Sequence, residues 1–166
     1  PHTKLINFYG PTETAIAVTY WECKSDEQLS VVPIGHPMPN NKLYILDELG
    51  SPVPIGVYGE LFIGGVQVAR GYWNRPELTE ERFVRDPFSK ELNARMYKSG
   101  DRARFNEKGY IEYQGRVDFQ VKVRGHRIEL GEIESALATH GAVGRSVVIV
   151  REDAPADVRL VAAAYN

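Results

Sequence analysis

Residues Tyr9 to Glu13, within the stretch Asn-Phe-Tyr-Gly-Pro-Thr-Glu-Thr-Ala at positions 7–15, bring an aromatic ring, a turn, a hydroxyl and a carboxylate into five consecutive positions. Such a set could handle a nucleotide. The ring of Tyr9 offers a flat face for a base and Thr12 a hydroxyl for a phosphate. Glu13 offers a carboxylate to Mg²⁺, a hard cation that prefers oxygen ligands. On their own the residues favour a plainer reading, in which Gly10 tolerates unusual backbone angles, Pro11 fixes φ, and the pair marks a tight turn.

The elements that must position these residues are mostly strands. After the turn, TAIAVTYW (14–21) is rich in β-branched and aromatic residues, which predicts a strand beginning near Ala15 with Thr12 and Glu13 at its mouth. KLYILD (42–47) alternates and YGELFIGG (58–65) reads as another short strand. RPELTEERF (75–83) predicts a short helix, with Pro76 at its first position and Glu77, Glu80 and Glu81 complementing the positive end of the helix. ARMYKSGDRARFNEKGYIEYQGR (94–116) alternates around two turn signals, KSGD and NEKG, which predicts a hairpin or meander. The pattern changes at Asp118. QVKVRGHRI (120–128) predicts two short strands around Arg124-Gly125. LGEIESALATHG (130–141) then puts Leu130, Ile133 and Leu137 on one helical face, with Gly141 as a stop. SVVIVRED (146–153) and VRLVAAAY (158–165) follow as two further strands. The expected class is α+β, with a β-rich part over residues 1–117 and a smaller α+β module over 118–166.

Composition narrows the partners. The chain has 166 residues, 43% hydrophobic and 25% charged, and no apolar run approaches the roughly 20 residues of a membrane span. With 20 basic against 22 acidic residues the net charge is −2, which argues against broad binding to nucleic acid or anionic membranes. Cys23 is the single cysteine, so no internal disulfide or cysteine-rich zinc site forms and a reducing cytoplasm fits. The first ten residues carry neither a basic region nor an apolar signal core, and a cytoplasmic chain is expected.

Four segments in fixed order, NFYGPTE, GELFIGGVQVARGYWNRPELTEERF, YKSGDRARF and GRVDFQVKVRGHRIELGEIE, resemble the adenylation domains of nonribosomal peptide synthetases, within the adenylate-forming enzymes. The likeness runs over nearly the whole chain. It implies that residues 1–117 are the C-terminal part of the large adenylation subdomain, and that 118–166 are the hinge and an incomplete small lid subdomain. It further implies that an amino-acid carboxylate attacks the α-phosphate of ATP, releasing pyrophosphate and leaving an aminoacyl-adenylate. The phosphopantetheine thiol of a peptidyl carrier protein then takes the acyl group, with neighbouring synthetase domains as further partners. Chemistry of this kind asks the protein for positioning and charge neutralisation.

Carried over residue by residue, the resemblance places Asn7 near the adenine amino group and Tyr9 against the base. Thr12 becomes the phosphate-contacting hydroxyl and Glu13 the carboxylate that coordinates Mg²⁺. Asp101 is the acid that accepts from both ribose hydroxyls, and Tyr113 and Arg116 line the nucleotide pocket. Ser99 stands where the family more often has Thr. Phe8, Ile16 and Ala17 match three positions of the amino-acid pocket and form an apolar wall. Asp118 matches the hinge. Gly125 matches the loop that leaves room for the pantetheine arm. Glu129, Glu132 and Glu134 read as helix-start or surface charges.

The Gly/Ser/Thr-rich phosphate loop, the aspartate that holds the substrate's amino group and the C-terminal lysine of the family are not in this sequence. The expectation is therefore a fragment that does not adenylate alone. Two other readings accompany this one: an acyl-CoA or aryl-acid ligase of the same superfamily, and a non-catalytic interaction module that keeps these residues as scaffold.

Overall fold

The structure is a computed structural model and describes residues 3–25, 29, 31–118, 120–123, 126–154 and 157–165. The chain forms two compact units, Pro1–Val117 and Asp118–Asn166.

Among the described residues, the first unit holds two antiparallel sheets. Strand β1 (Leu5–Tyr9) pairs with β2 (Thr19–Cys23), which pairs in turn with the short β3 (His36–Pro37). The strand expected from Ala15 thus begins at Thr19, because residues 12–14 close a single 3₁₀ turn and Ala15 and Ile16 both take positive φ, which no strand accommodates. The second sheet runs β4 (Asn41–Leu46), β5 (Gly59–Gly65), β7 (Arg95–Phe105). The far edge of β7 is shared between β6 (Phe83–Arg85) at its start and β8 (Ile111–Arg116) at its end. β5 is buried on both faces: Leu61 and Ile63 enter the main core with Val18, Ile45, Tyr97 and Ile111, while Phe62 packs on the other side with Leu46 and Met96. That two-sided burial is why Leu61, Phe62 and Ile63 run apolar without alternation. Helix α1 (Pro76–Arg82) starts at Pro76 as expected.

β7 departs from the sequence reading. KSGD does not turn the chain; the strand runs through it, with Ser99, Gly100 and Asp101 all standing opposite Leu61, between the pairs Phe62–Lys98 and Glu60–Arg102. Gly100 has φ 73°, so the glycine that signals a turn serves a bulge instead. NEKG does turn, joining β7 to β8, with the Asn106 side chain accepting from the Lys108 and Tyr110 amides.

In the second unit β9 (Gln120–Val123) pairs with β10 (His126–Glu129), and helix α2 (Leu130–Ala138) leads to the hairpin of β11 (Arg145–Glu152) and β12 (Val158–Tyr165). Two of the glutamates read as helix-start or surface charges also act as ties, Glu129 from its place at the start of α2. Glu134 Oε1 accepts from the Val148 amide at 2.8 Å, and Glu129 accepts from the Gln120 side chain. The α+β class holds, and no helix among the described residues is long and apolar enough to cross a membrane.

Candidate functional site

Tyr97, Ser99 and Asp101 are buried along β7, and the two buried candidate carboxylates lie at the two ends of this row. At one end lies Asp101, buried, with Arg116 Nη1 donating to its Oδ1 at 2.8 Å and the Tyr9 hydroxyl donating to its Oδ2. Arg116 also donates from Nη2 to the Ser99 carbonyl at 3.1 Å, so the guanidinium spans both sides of the bulge. Both partners of this ion pair are largely removed from water, where charge-assisted bonds are strong and geometry is tightly held. Ser99 Oγ donates to the Leu61 carbonyl at 2.6 Å and accepts from the Asp101 amide at 3.0 Å. The Gly100 amide donates to Glu60 Oε1 at 3.0 Å. These bonds hold the bulge that aims Asp101. The ring of Tyr113, on β8, stands 6.3 Å from that of Tyr9. Removal of the Tyr9 hydroxyl from water, and then the charge of Asp101, hold the phenol well above its ordinary range, so it remains a proton donor at neutral pH.

At the other end lies Glu13, also buried, in the 3₁₀ turn that follows Pro11. Its Oε1 accepts from the Tyr72 hydroxyl at 2.6 Å, its backbone carbonyl accepts from the Ala69 amide at 2.9 Å, and the Tyr72 and Tyr97 hydroxyls are 3.5 Å apart. Tyr72 is braced edge-on against Phe83, with ring centroids 5.4 Å apart. Burial first, and then the bonds to Glu13 and Tyr97, push the Tyr72 phenol far up, so it too keeps its proton and donates. Among the described residues no cluster of three His, Cys, Asp or Glu side chains could bind a metal ion unaided. A lone carboxylate fits instead an ion that arrives already bound to phosphates, because Mg²⁺ takes one or two protein carboxylates and fills its shell with phosphate oxygens and water.

Thr12 is exposed on the 3₁₀ turn beside Glu13. Asn7, on β1, donates from Nδ2 to the Pro33 carbonyl at 2.9 Å and so ties β1 to the 33–35 segment. Phe8 and Ile16 are exposed and Ala17 is half-buried. Asp118 opens the second unit, where its carboxylate accepts from the Gln120 amide at 3.2 Å. Gly125 lies outside the described residues.

Tyr72, Tyr97, Glu60 and Gln67 were not signalled as site residues by the sequence. Tyr72 and Gln67 lie inside the segment GELFIGGVQVARGYWNRPELTEERF, but their types carry no local cue, since each acts through a partner more than 45 residues away.

The chain is similar to known proteins on three counts. The family model described as AMP-binding enzyme matches residues 1–73. Tyrocidine synthase 1 of Brevibacillus parabrevis is 55% identical over 152 residues, which is 90% of this chain and 14% of that protein. Phosphinothricin tripeptide synthetase PhsB of Streptomyces viridochromogenes is 55% identical over 162 residues, 98% of this chain and 13% of that protein. Among solved structures, NpsA-ThdA, an artificially fused adenylation-PCP di-domain NRPS from Klebsiella oxytoca, superposes with a TM-score of 0.80 at 35% identity, over 97% of this chain and 32% of its own. PA1221, an NRPS protein containing adenylation and PCP domains, gives 0.83 at 31%, over 97% and 32%. The chain therefore spans a small fraction of the curated relatives and about a third of these solved structures.

Proposed function

Because this chain belongs to the AMP-binding enzymes, as a piece of an adenylation domain of the nonribosomal peptide synthetase kind, we propose that it serves amino-acid activation by Mg-ATP. The observation that carries the proposal is Asp101, a buried carboxylate aimed from a strand bulge and gripped by Tyr9 and Arg116 beside the ring of Tyr113. Each carboxylate oxygen has lone pairs for more than one donor, so Asp101 can accept ribose hydroxyls with Arg116 in place. Tyr9 and Tyr113 flank the base, Asn7 stands near its amino group, and Arg116 places positive charge toward ribose and phosphates.

In the reaction, an amino-acid carboxylate oxygen bonds to the α-phosphorus of ATP and the bond to the pyrophosphate oxygen breaks. The sulfur of a carrier-protein phosphopantetheine later bonds to the aminoacyl carbonyl carbon, and AMP leaves. Thr12 offers its hydroxyl to the phosphates and Glu13 its carboxylate to the Mg²⁺ they carry, which supplies charge neutralisation when bound. Phe8, Ile16 and Ala17 form an apolar wall of the amino-acid pocket. Asp118 acts as the hinge between residues 1–117 and 118–166, and Gly125 admits the pantetheine arm. A cytoplasmic synthetase making a secondary metabolite, with a peptidyl carrier protein and neighbouring synthetase domains as partners, fits this chemistry.

The test is amino-acid-dependent exchange of pyrophosphate into ATP by the complete domain that contains this chain. Exchange with a proteinogenic or related amino acid, weakened by about tenfold or more at subsaturating ATP in Glu13→Gln and Asp101→Ala, is the expected result. Activation only of aryl or fatty acids would assign the chain to the ligase branch. Absence of exchange with retained carrier-protein binding would make it an interaction module.

A further inference from the structure

We propose that Gln67 is a positioning residue for substrate selection, clamping the 14–17 loop so that Ile16 and Ala17 present one fixed wall to the amino acid; this rests on the reading of those residues as pocket wall. The loop is held in an unfavourable conformation. Ala15 and Ile16 have φ of 57° and 76°, and a β-branched residue such as Ile rarely accepts positive φ. Such a conformation persists only where the surroundings over-determine it. Packing of the side chain does not supply the restraint, since Ile16 is 79% exposed. The backbone does.

On one side the loop lies directly on Gly10, where a Cβ would come within 2.6 Å of the Ile16 carbonyl oxygen, and the Ile16 amide reaches the Pro11 carbonyl at 3.3 Å. On the other side Gln67, just after β5, donates from Nε2 to the Ala17 carbonyl at 2.9 Å and to the Thr14 carbonyl at 3.4 Å. Those two acceptors fix the orientation of the amide, since only its NH₂ can face a pair of carbonyls. Its Oε1 then accepts from Asn41 Nδ2, and Asn41 is buried at the start of β4. The loop that would read the amino acid is thus referenced, through two side-chain amides, to the central sheet. Gln67 reaches the wall through the loop carbonyls and does not itself belong to the set of wall residues.

The experiment compares Gln67→Glu, Gln67→Leu, Ile16→Gly and the double variant Ile16→Gly/Gln67→Leu in the complete domain, by pyrophosphate exchange across an amino-acid panel. Gln67→Glu turns a carboxylate toward two carbonyls at unchanged size. Gln67→Leu removes the bonds without adding charge and serves should the Glu variant not fold. Both should raise the KM of the preferred amino acid about tenfold, the loss of roughly one net hydrogen bond. They should also reorder the panel and leave the KM for ATP within about twofold, since the bonds lost hold the loop rather than the nucleotide groups. Gly needs no clamp to take positive φ, so Gln67→Leu should cost much less in the Ile16→Gly background. If Ile16→Gly leaves the panel unchanged, the pocket reading fails and the proposal with it. If Ile16→Gly shifts the panel but the Gln67 variants leave it unchanged, or lower kcat and raise both KM values alike, the clamp is overturned and the pocket reading stands.

Discussion

The carboxylate of Asp101 carries two duties, and they separate by substitution. Asp101→Ala removes the acceptor proposed for the ribose hydroxyls and should weaken ATP binding to the complete domain by about 1.5–3 kcal/mol, the range for hydrogen bonds to a charged group. It also takes from Arg116 its partner at 2.8 Å in a nearly dry site, so a loss of thermal stability should accompany it. Asp101→Asn keeps the shape and should recover much of the stability but little of the affinity; calorimetry and melting curves on both variants read the two apart. Tyr72→Phe tests the second carboxylate. With its 2.6 Å donor gone, Glu13 is held less firmly in orientation, and the Mg²⁺ concentration needed for half-maximal exchange should rise several-fold while the amino-acid KM holds. An unchanged Mg²⁺ requirement would leave Tyr72 as a packing residue. Types and spacing suggest a nucleotide role for Tyr9 and Glu13 beside the plainer reading of a turn, whereas Asp101 enters only through the family resemblance, since KSGD alone reads as a turn. Tyr72 and Gln67 are not legible, because their contribution exists only once β5 and the segment after it are folded against the 12–17 loop.

Elements divide in the same way. The β7–β8 hairpin is legible from alternation and from NEKG, and it carries a local electrostatic lock. Glu112 accepts from Asn106 Nδ2 at 3.0 Å and from Arg104 Nε at 2.8 Å. Its carboxyl is held below the usual range, by Asn106 first and Arg104 after it, against the opposing effect of burial. A carboxylate with a depressed folded-state pKa contributes stability above its unfolded value, and that contribution is lost as pH falls through the folded one. Glu112→Gln should therefore melt below the parent at neutral pH, with the gap closing below about pH 4, where the unfolded carboxylate is protonated. A gap that persists at acid pH would trace the effect to packing. KSGD misleads because a glycine at positive φ serves a reverse turn and a strand bulge equally well. Pairing with β5 on one edge and β8 on the other decides for the bulge, and no local pattern encodes it. The strand expected from Ala15 starts late for a related reason, since its first residues are drawn into the left-handed turn under Gly10.

At the scale of the whole chain, the first unit exposes apolar side chains that, on the proposed reading, the rest of an adenylation domain would cover. Leu5 is 69% exposed and Phe8 54%, and both lie on β1, an edge strand of its sheet. The 166-residue chain produced alone should bind an apolar dye strongly and associate, whereas the complete domain should do neither. A monomeric chain that leaves the dye dark would show these side chains satisfied as they stand. The bulged strand β7 has one more consequence. Tyr97, next to the group that would meet the metal, and Asp101, which would meet the sugar, sit four positions apart on a single strand, a separation of roughly 13 Å in extended chain before the bulge shortens it. Under the proposed roles, β7 would work as a ruler laid along the nucleotide from ribose to phosphate. Inserting or deleting one residue between Tyr97 and Asp101 would move one mark by about 3.3 Å and turn it to the opposite face, so on that reading the length of this strand would itself be a recognition element.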